Sequence, residues 1–235
     1  TASLILPRMS ADLQERTMAE IMATATKVFE NAGGKIVGGH SSLGQELTIG
    51  FTVTGLAKKP ITLAGAKAGD KLIVTKPLGS GTIMAAEMAG TADGADVIAC
   101  FELMVQDQAR ASEILSKAHA MTDITGFGLA GHLRGICDAS GVGAELYLDQ
   151  IPLMQGALAL SAAGVRSSLF EDNRAGAGPI AGPHFDLLFD PQTAGGLLAA
   201  LAPDQAEAAL NALVKAGYDA AIVGQTNDSL AITTI

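Results

Sequence analysis

Apolar positions along the chain repeat in two rhythms, and the switches between them predict most of its elements. Met18, Ile21, Met22, Ala25, Val28 and Phe29 fall at helical spacing, the stripe of an amphipathic helix. Ser10 or Asp12 opens that helix, Glu15 stands in capping-box register to Asp12, and Asn31, Gly33 and Gly34 stop it. So methionine-rich a stripe reads as core and not as a cofactor contact. Before it, residues 1–7 read as the end of a strand, and 35–37 form a short strand running into Gly38-Gly39-His40-Ser41-Ser42. The rhythm then changes to two over 46–56. Leu47, Ile49, Phe51 and Val53 face one way, while Thr48, Gly50, Thr52 and Thr54 face the other. One side of this strand must pack, and the small Thr/Gly side suits solvent or a second chain.

The stretch 57–70, rich in Ala, Gly and Lys around Pro60, reads as a linker. It places a domain boundary between 1–57 and 58–235. Beyond it, 71–76 is a strand stopped by Pro77, and Gly79-Ser80-Gly81-Thr82 leads into a helix over 83–89. Such a turn can hold an anion or merely shape the chain. The span 93–118 is helical in two pieces, 144–148 is a strand, 152–163 a helix, and 167–183 a loop with Asp172-Asn173-Arg174 at its polar centre. A strand over 185–189 ends in Asp190-Pro191-Gln192-Thr193-Ala194-Gly195-Gly196, and 197–201 resumes the strand pattern. Pro203 starts a helix running to Lys215 and closed by Gly217, and strands over 220–223 and 230–235 end the chain. The expected fold class is α+β, in mixed layers.

One stretch organises the rest, Thr122-Asp123-Ile124-Thr125-Gly126-Phe127-Gly128-Leu129-Ala130-Gly131-His132-Leu133. Ala120 and Met121 extend it upstream as a strand, and Leu129, Leu133, Ile136 and Cys137 make a helix starting near Gly128. Asp123 therefore sits where strand gives way to turn and helix, the end of a strand at which ligands gather in open sheets. Gly126 and Gly128 admit close backbone approach, and Thr122 and Thr125 add hydroxyls. A carboxylate here serves either as an N-cap or as a ligand for a hard cation.

The chain has 235 residues, enough for one large domain or two small ones. A net charge of -9 argues against nucleic-acid or anionic-membrane surfaces. It leaves room for nucleotides, which carboxylate sites bind through Mg²⁺. Cys100 and Cys137 are the 2 cysteines, without a C-x-x-C or His/Cys cluster, so a reducing cytosol is the simplest home and a zinc site is not expected. Both lie in helical apolar patterns and read as buried and structural. No apolar segment reaches membrane-spanning length, and the first residues lack the basic start of a signal peptide. Without an initiator Met, the chain is expected to begin within a domain.

Three junctions, Gly38-Gly39-His40-Ser41, the stretch around Asp123, and Asp190 to Leu198, each follow a β-like run and pair glycines with polar side chains. In this order, the chain resembles the selenophosphate synthetases (selenide, water dikinases) of the aminoimidazole ribonucleotide synthetase-like superfamily of ATP-binding proteins. The likeness runs from the helix after Ser10 to the last strand. It includes Phe51-Thr52-Val53-Thr54-Gly55 and Leu72-Ile73-Val74-Thr75-Lys76-Pro77-Leu78-Gly79-Ser80-Gly81, and is most specific at Thr122 to His132. Ala194 departs from the family's usual Ser.

The resemblance implies a remnant of the ATP-binding and dimerisation domain over 1–57 and a complete C-terminal domain over 58–235. It implies Asp123 as a ligand of Mg²⁺ on the ATP phosphates, and Gly38, Gly39 and His40 as a nucleotide-contacting loop shared across a homodimer. The family's nucleophilic Cys or selenocysteine, its Lys and its other metal-binding Asp residues belong to a preceding segment, so no catalytic residue is expected here. Asp190, Gln192, Thr193 and Asn173 either line the cleft or serve turns and caps, and His132 reads as a satisfied helix-face histidine. The implied reaction converts selenide and ATP to selenophosphate, AMP and phosphate, with this portion inactive alone. The alternatives are another ATP-dependent synthetase of the superfamily and a non-catalytic assembly domain.

Overall fold

The structure is a computed structural model that describes residues 1–57 and 59–235. The chain divides into two compact units, Thr1–Lys59 and Pro60–Ile235. The boundary expected after Ala57 touches Lys58, which lies outside the described residues.

The first unit contains β1 (Ala2–Pro7), α1 (Ala11–Asn31), β2 (Gly39–Gly44) and β3 (Thr48–Phe51). Its sheet runs β2-β1-β3, with β1 parallel to β2 and antiparallel to β3. Ala2, Leu4 and Leu6 alternate into the interior of this unit. The expected strand over 35–37 is not formed. Pairing with β1 begins at Ala2↔Gly39 and ends at Pro7↔Gly44, so the partner strand decides which residues extend. The strand expected over 46–56 shrinks to four residues, because β1 offers only Ala2 to Ile5 on that side. Ser10 is the N-cap of α1 but makes no side-chain cap bond, and no residue of α1 is fully buried. Its apolar stripe meets β3 through Phe29 and Phe51, whose ring centres lie 5.5 Å apart.

The second unit takes up β4 (Lys71–Val74), α2 (Ser80–Met88), α3 (Gly94–Val105), α4 (Ala109–Ile114), β5 (Ala120–Asp123) and α5 (Gly128–Ser140). It continues with β6 (Gly143–Leu146), α6 (Ala157–Ala162), α7 (Phe170–Gly176), β7 (Ile180–Ala181), β8 (Leu197–Leu201), α8 (Pro203–Lys215), β9 (Ala221–Asn227) and β10 (Ile232–Thr234). The seven strands are ordered β5-β8-β4-β9-β6-β10-β7. The β5-β8-β4-β9-β6 portion is antiparallel, and β10 is parallel to both its neighbours. Leu72 and Val74 pack with Leu129, Leu133 and Ile136 of α5, whereas Ile73, Ala199 and Leu201 pack with Leu115 and with Leu213 of α8. Both faces are thus covered, which is why β4 and β8 read as unbroken apolar runs and not as alternations. Cys100 and Cys137 are both buried free thiols, and burial pushes the Cys137 thiol up to about 11.

The stretch read as a linker is docked from Thr62 onward: Met121 N donates to Thr62 O (3.0 Å), and the Ser140 hydroxyl accepts from the amides of Gly65 and Ala66. Asp70 is buried, accepting from Lys67 N (2.8 Å) and meeting His119 Nδ1 (2.8 Å). The run read as a strand over 185–189 is a 3-10 turn, Asp186–Phe189, with Leu187, Leu188 and Phe189 all buried. The expected loop 167–183 contains α7, and the expected helix 152–163 starts only at Ala157. Among the described residues no helix is long and apolar enough to cross a membrane.

Candidate functional site

Asp123 is the last residue of β5, paired with Leu197 at the start of β8. Its side chain is exposed, and the hydroxyl of Thr122 lies 3.4 Å from Oδ1. The helix that follows does not use it. α5 begins at Gly128, its N-cap is Phe127, and no side chain caps it. The Asp123 carboxylate neither caps α5 nor forms an ion pair among the described residues.

The turn after Asp123 is tied down on every side. Ile124 N donates to Gly196 O (2.8 Å), and Gln192 N donates to Thr125 O (2.9 Å). Asn173 Nδ2 reaches Gly126 O (2.7 Å) and Phe189 O (2.9 Å), which explains its burial on α7. Thr125 N donates to Nε2 of His132 (2.9 Å). Burial lowers the His132 pKa, and the nearby Asp123 charge opposes that shift. Asp123 thus projects from a rigid turn.

The Gly79-Ser80-Gly81 turn is already occupied by the protein. Gln192 Oε1 accepts from the amides of Gly79 (3.0 Å) and Ser80 (3.3 Å), while Asp190 accepts from Gly81 N (3.1 Å) and Thr82 Oγ1 (2.8 Å). Its own carboxylate and amide fill the donors an external anion would want. Asp190 and Gln192 are therefore buried struts and not cleft-lining groups, and burial raises the Asp190 pKa against the pull of those hydrogen bonds. Thr193 keeps an exposed side chain, with its amide on Ser80 Oγ (2.9 Å). Sequence reasoning gave Lys76 no role, yet it is buried, and its ammonium donates to Ala194 O (2.9 Å), fixing the loop before β8. Nothing in the local spacing pointed to that contact.

Gly38, Gly39 and His40 belong to the first unit, and Asp123 to the second. The three line a cleft of about 390 Å³ whose apolar wall includes Met18, Met22 and Ile36. Gly39 owes its identity to strand pairing, since a Cβ there would lie 2.1 Å from Ala2 O. Gly38 has nothing within 4 Å of that position, so packing within the chain does not demand its glycine. His40 is exposed at the start of β2, not in a tight turn. Among the described residues no group of three or more His, Cys, Asp and Glu could hold a metal ion. Asp123 belongs to no such group, and its exposed carboxylate is by chemistry the oxygen donor that hard cations prefer.

Known proteins resemble this chain in sequence and in fold. Residues 67–234 match the family described as AIR synthase related protein, C-terminal domain. A selenide, water dikinase of Trichlorobacter lovleyi is 38% identical over 222 residues, covering 87% of this chain and 63% of that protein. A second, from Myxococcus xanthus, is 37% identical over 227 residues, covering 91% of this chain and 64% of that protein. The chain thus spans somewhat under two thirds of these relatives' length. Among solved structures, thiamine-monophosphate kinase from Stenotrophomonas maltophilia superposes with a TM-score of 0.69 at 20% identity, over 99% of this chain and 70% of that one. The hydrogenase maturation protein HypE superposes with 0.67 at 21%, over 96% and 66%. Such likenesses establish the mixed α/β fold. With residues 67–234 matched along their length, the chain belongs to the AIR synthase related proteins and carries their C-terminal domain.

Proposed function

We propose that this chain is the C-terminal portion of a selenide, water dikinase, which converts selenide and ATP to selenophosphate, AMP and phosphate. The names of the relatives and their identity over about nine tenths of the chain support the reaction. The single observation that carries the site is Asp123, an exposed carboxylate on a fixed turn with no capping duty in its own fold. In this reading Asp123 supplies one oxygen to Mg²⁺ on the ATP phosphates. The bound cation spreads the charge of the phosphoryl group in transit. Gly38, Gly39 and His40 contact the nucleotide, with Gly38 as the place where backbone comes nearest.

The whole enzyme works as a homodimer in the cytoplasm. Exposed Ile49 and Phe51, beside Val28 and Phe29 over an apolar groove of about 500 Å³, support a partner for the first unit. The isolated chain holds too few carboxylates to retain a metal–triphosphate, so it is inactive alone. The test uses selenide-dependent AMP release by the full-length protein. Asp123→Asn keeps the size and removes the charge, so it should lower kcat by two to three orders of magnitude, roughly the loss seen when one charge-stabilising group is removed. Wild-type turnover in that variant, or AMP release by the 235-residue chain alone, would overturn the reading.

A further inference from the structure

His132 stands one helical turn inside α5, yet its hydrogen bond points backward, out of the helix. Nε2 lies 2.9 Å from Thr125 N and 3.2 Å from Thr125 Oγ1. A backbone N–H can only donate, so Nε2 must present its lone pair and the ring proton must sit on Nδ1. The bond is partly buried. The Phe127 ring packs on the imidazole with centres 5.6 Å apart, and Gly131 makes room for it, since a Cβ there would lie 2.8 Å from Phe127 Cβ. The helix gains no cap from this arrangement, because no side chain bonds at its N-cap. What is gained is the placement of Thr125, two residues beyond Asp123. The other ties on the turn come from Gly196 O, Gln192 N and Asn173 Nδ2, all on segments after α5 in sequence.

We propose that His132 is a positioning residue: as a neutral imidazole protonated on Nδ1, it fixes the turn that carries Asp123 by accepting the Thr125 amide, and so presets the carboxylate for a divalent cation. This rests on the reading of Asp123 as a cation ligand. Groups that orient metal ligands from behind change affinity by about 10- to 100-fold when removed.

Nuclear magnetic resonance on the full-length protein tests it with Mn²⁺ as the probe. The ring ¹⁵N shifts of His132 should report the Nδ1–H tautomer, and the Thr125 amide should exchange slowly. Mn²⁺ should broaden the amides of residues 122–126. His132→Leu removes the acceptor, so Thr125 exchange should accelerate and Mn²⁺ affinity at the turn should fall about tenfold. His132→Gln places Oε1 near the former Nε2 and should restore both. An Nε2–H tautomer in the wild type overturns the proposal. So does a folded His132→Leu chain that broadens 122–126 at the wild-type Mn²⁺ concentration. If His132→Leu does not fold, the tautomer and the His132→Gln titration decide. Broadening centred elsewhere in the wild type overturns the cation reading of Asp123 and with it the purpose given to His132. Wild-type broadening at 122–126 that survives His132→Leu overturns the positioning alone.

Discussion

The Gln192 side chain joins two loops that lie far apart in sequence. Its Oε1 accepts from Gly79 N, 113 residues away, and its Nε2 donates to Asp190 O (2.8 Å) and Asp190 Oδ2 (2.9 Å). Gln192→Leu leaves the buried amides of Gly79 and Ser80 without their acceptor and takes one donor from the Asp190 carboxylate, which keeps Gly81 N and Thr82 Oγ1, at about 1–3 kcal/mol for each unsatisfied group. A loss on the order of 3 kcal/mol in urea unfolding is expected; an unchanged midpoint would contradict the strut role. The loss also depends on pH. The native Asp190 pKa is raised by burial, so Asp190 favours folding most below its ordinary range and less as pH climbs through the raised value. Gln192 Nε2 stabilises the ionised form, so its removal should hurt more at neutral than at acid pH. None of this is legible locally. Sequence alone put Asp190 and Gln192 at a polar junction, but whether they face a cleft or a buried turn depends on Gly79 to Thr82. Asp123 was legible as a strand-end carboxylate. That it caps nothing was not, because the first residue of α5 fixes that question.

Elements were legible in proportion to their length and one-sidedness. α1 and α8 each show a helical stripe, and α8 runs from Pro203 to Lys215 as its start and stop residues imply. The short apolar run at Leu187, Leu188 and Phe189 carries no period, and burial on all sides permits a 3-10 turn as readily as a strand. α7 was hidden for the opposite reason: its polar residues hold up the neighbouring turn, Asn173 above all, so it shows no apolar stripe. The strand–turn–helix at Asp123 depends on Gly128, whose φ is +68°. A Cβ there would lie 2.9 Å from Leu188 O and 2.9 Å from the Phe189 carbonyl carbon, backbone atoms that cannot swing away. Gly128→Ala should therefore lose about 2 kcal/mol through strain alone, visible as a lower calorimetric Tm. A wild-type Tm would show that the α5 start tolerates a side chain.

At the scale of the molecule, the two units differ in how fully they bury their apolar residues. The second has two covered sheet faces, and the first leaves Leu47, Ile49, Phe51 and Val53 exposed. A protease of broad specificity should cut first among the exposed residues 52–57 and leave a resistant fragment containing Thr62 to Ile235. Early cleavage after Lys67 would contradict the docking of that stretch, where Lys67 O accepts from Thr226 Oγ1. Composition misled here: Ala, Gly and Lys around Pro60 read as a tether, while the bonds that fix them come from Met121, Ser140 and Thr226, remote in sequence. β5 is the outermost strand on its side of the seven-stranded sheet, and Thr62 O takes up the Met121 amide there. A sheet margin left open is a template for a strand from another molecule, and at the far side β7 offers only two residues. The arriving segment acts as a selvedge: it binds off the sheet and shields the strand that carries Asp123 from recruitment into aggregates.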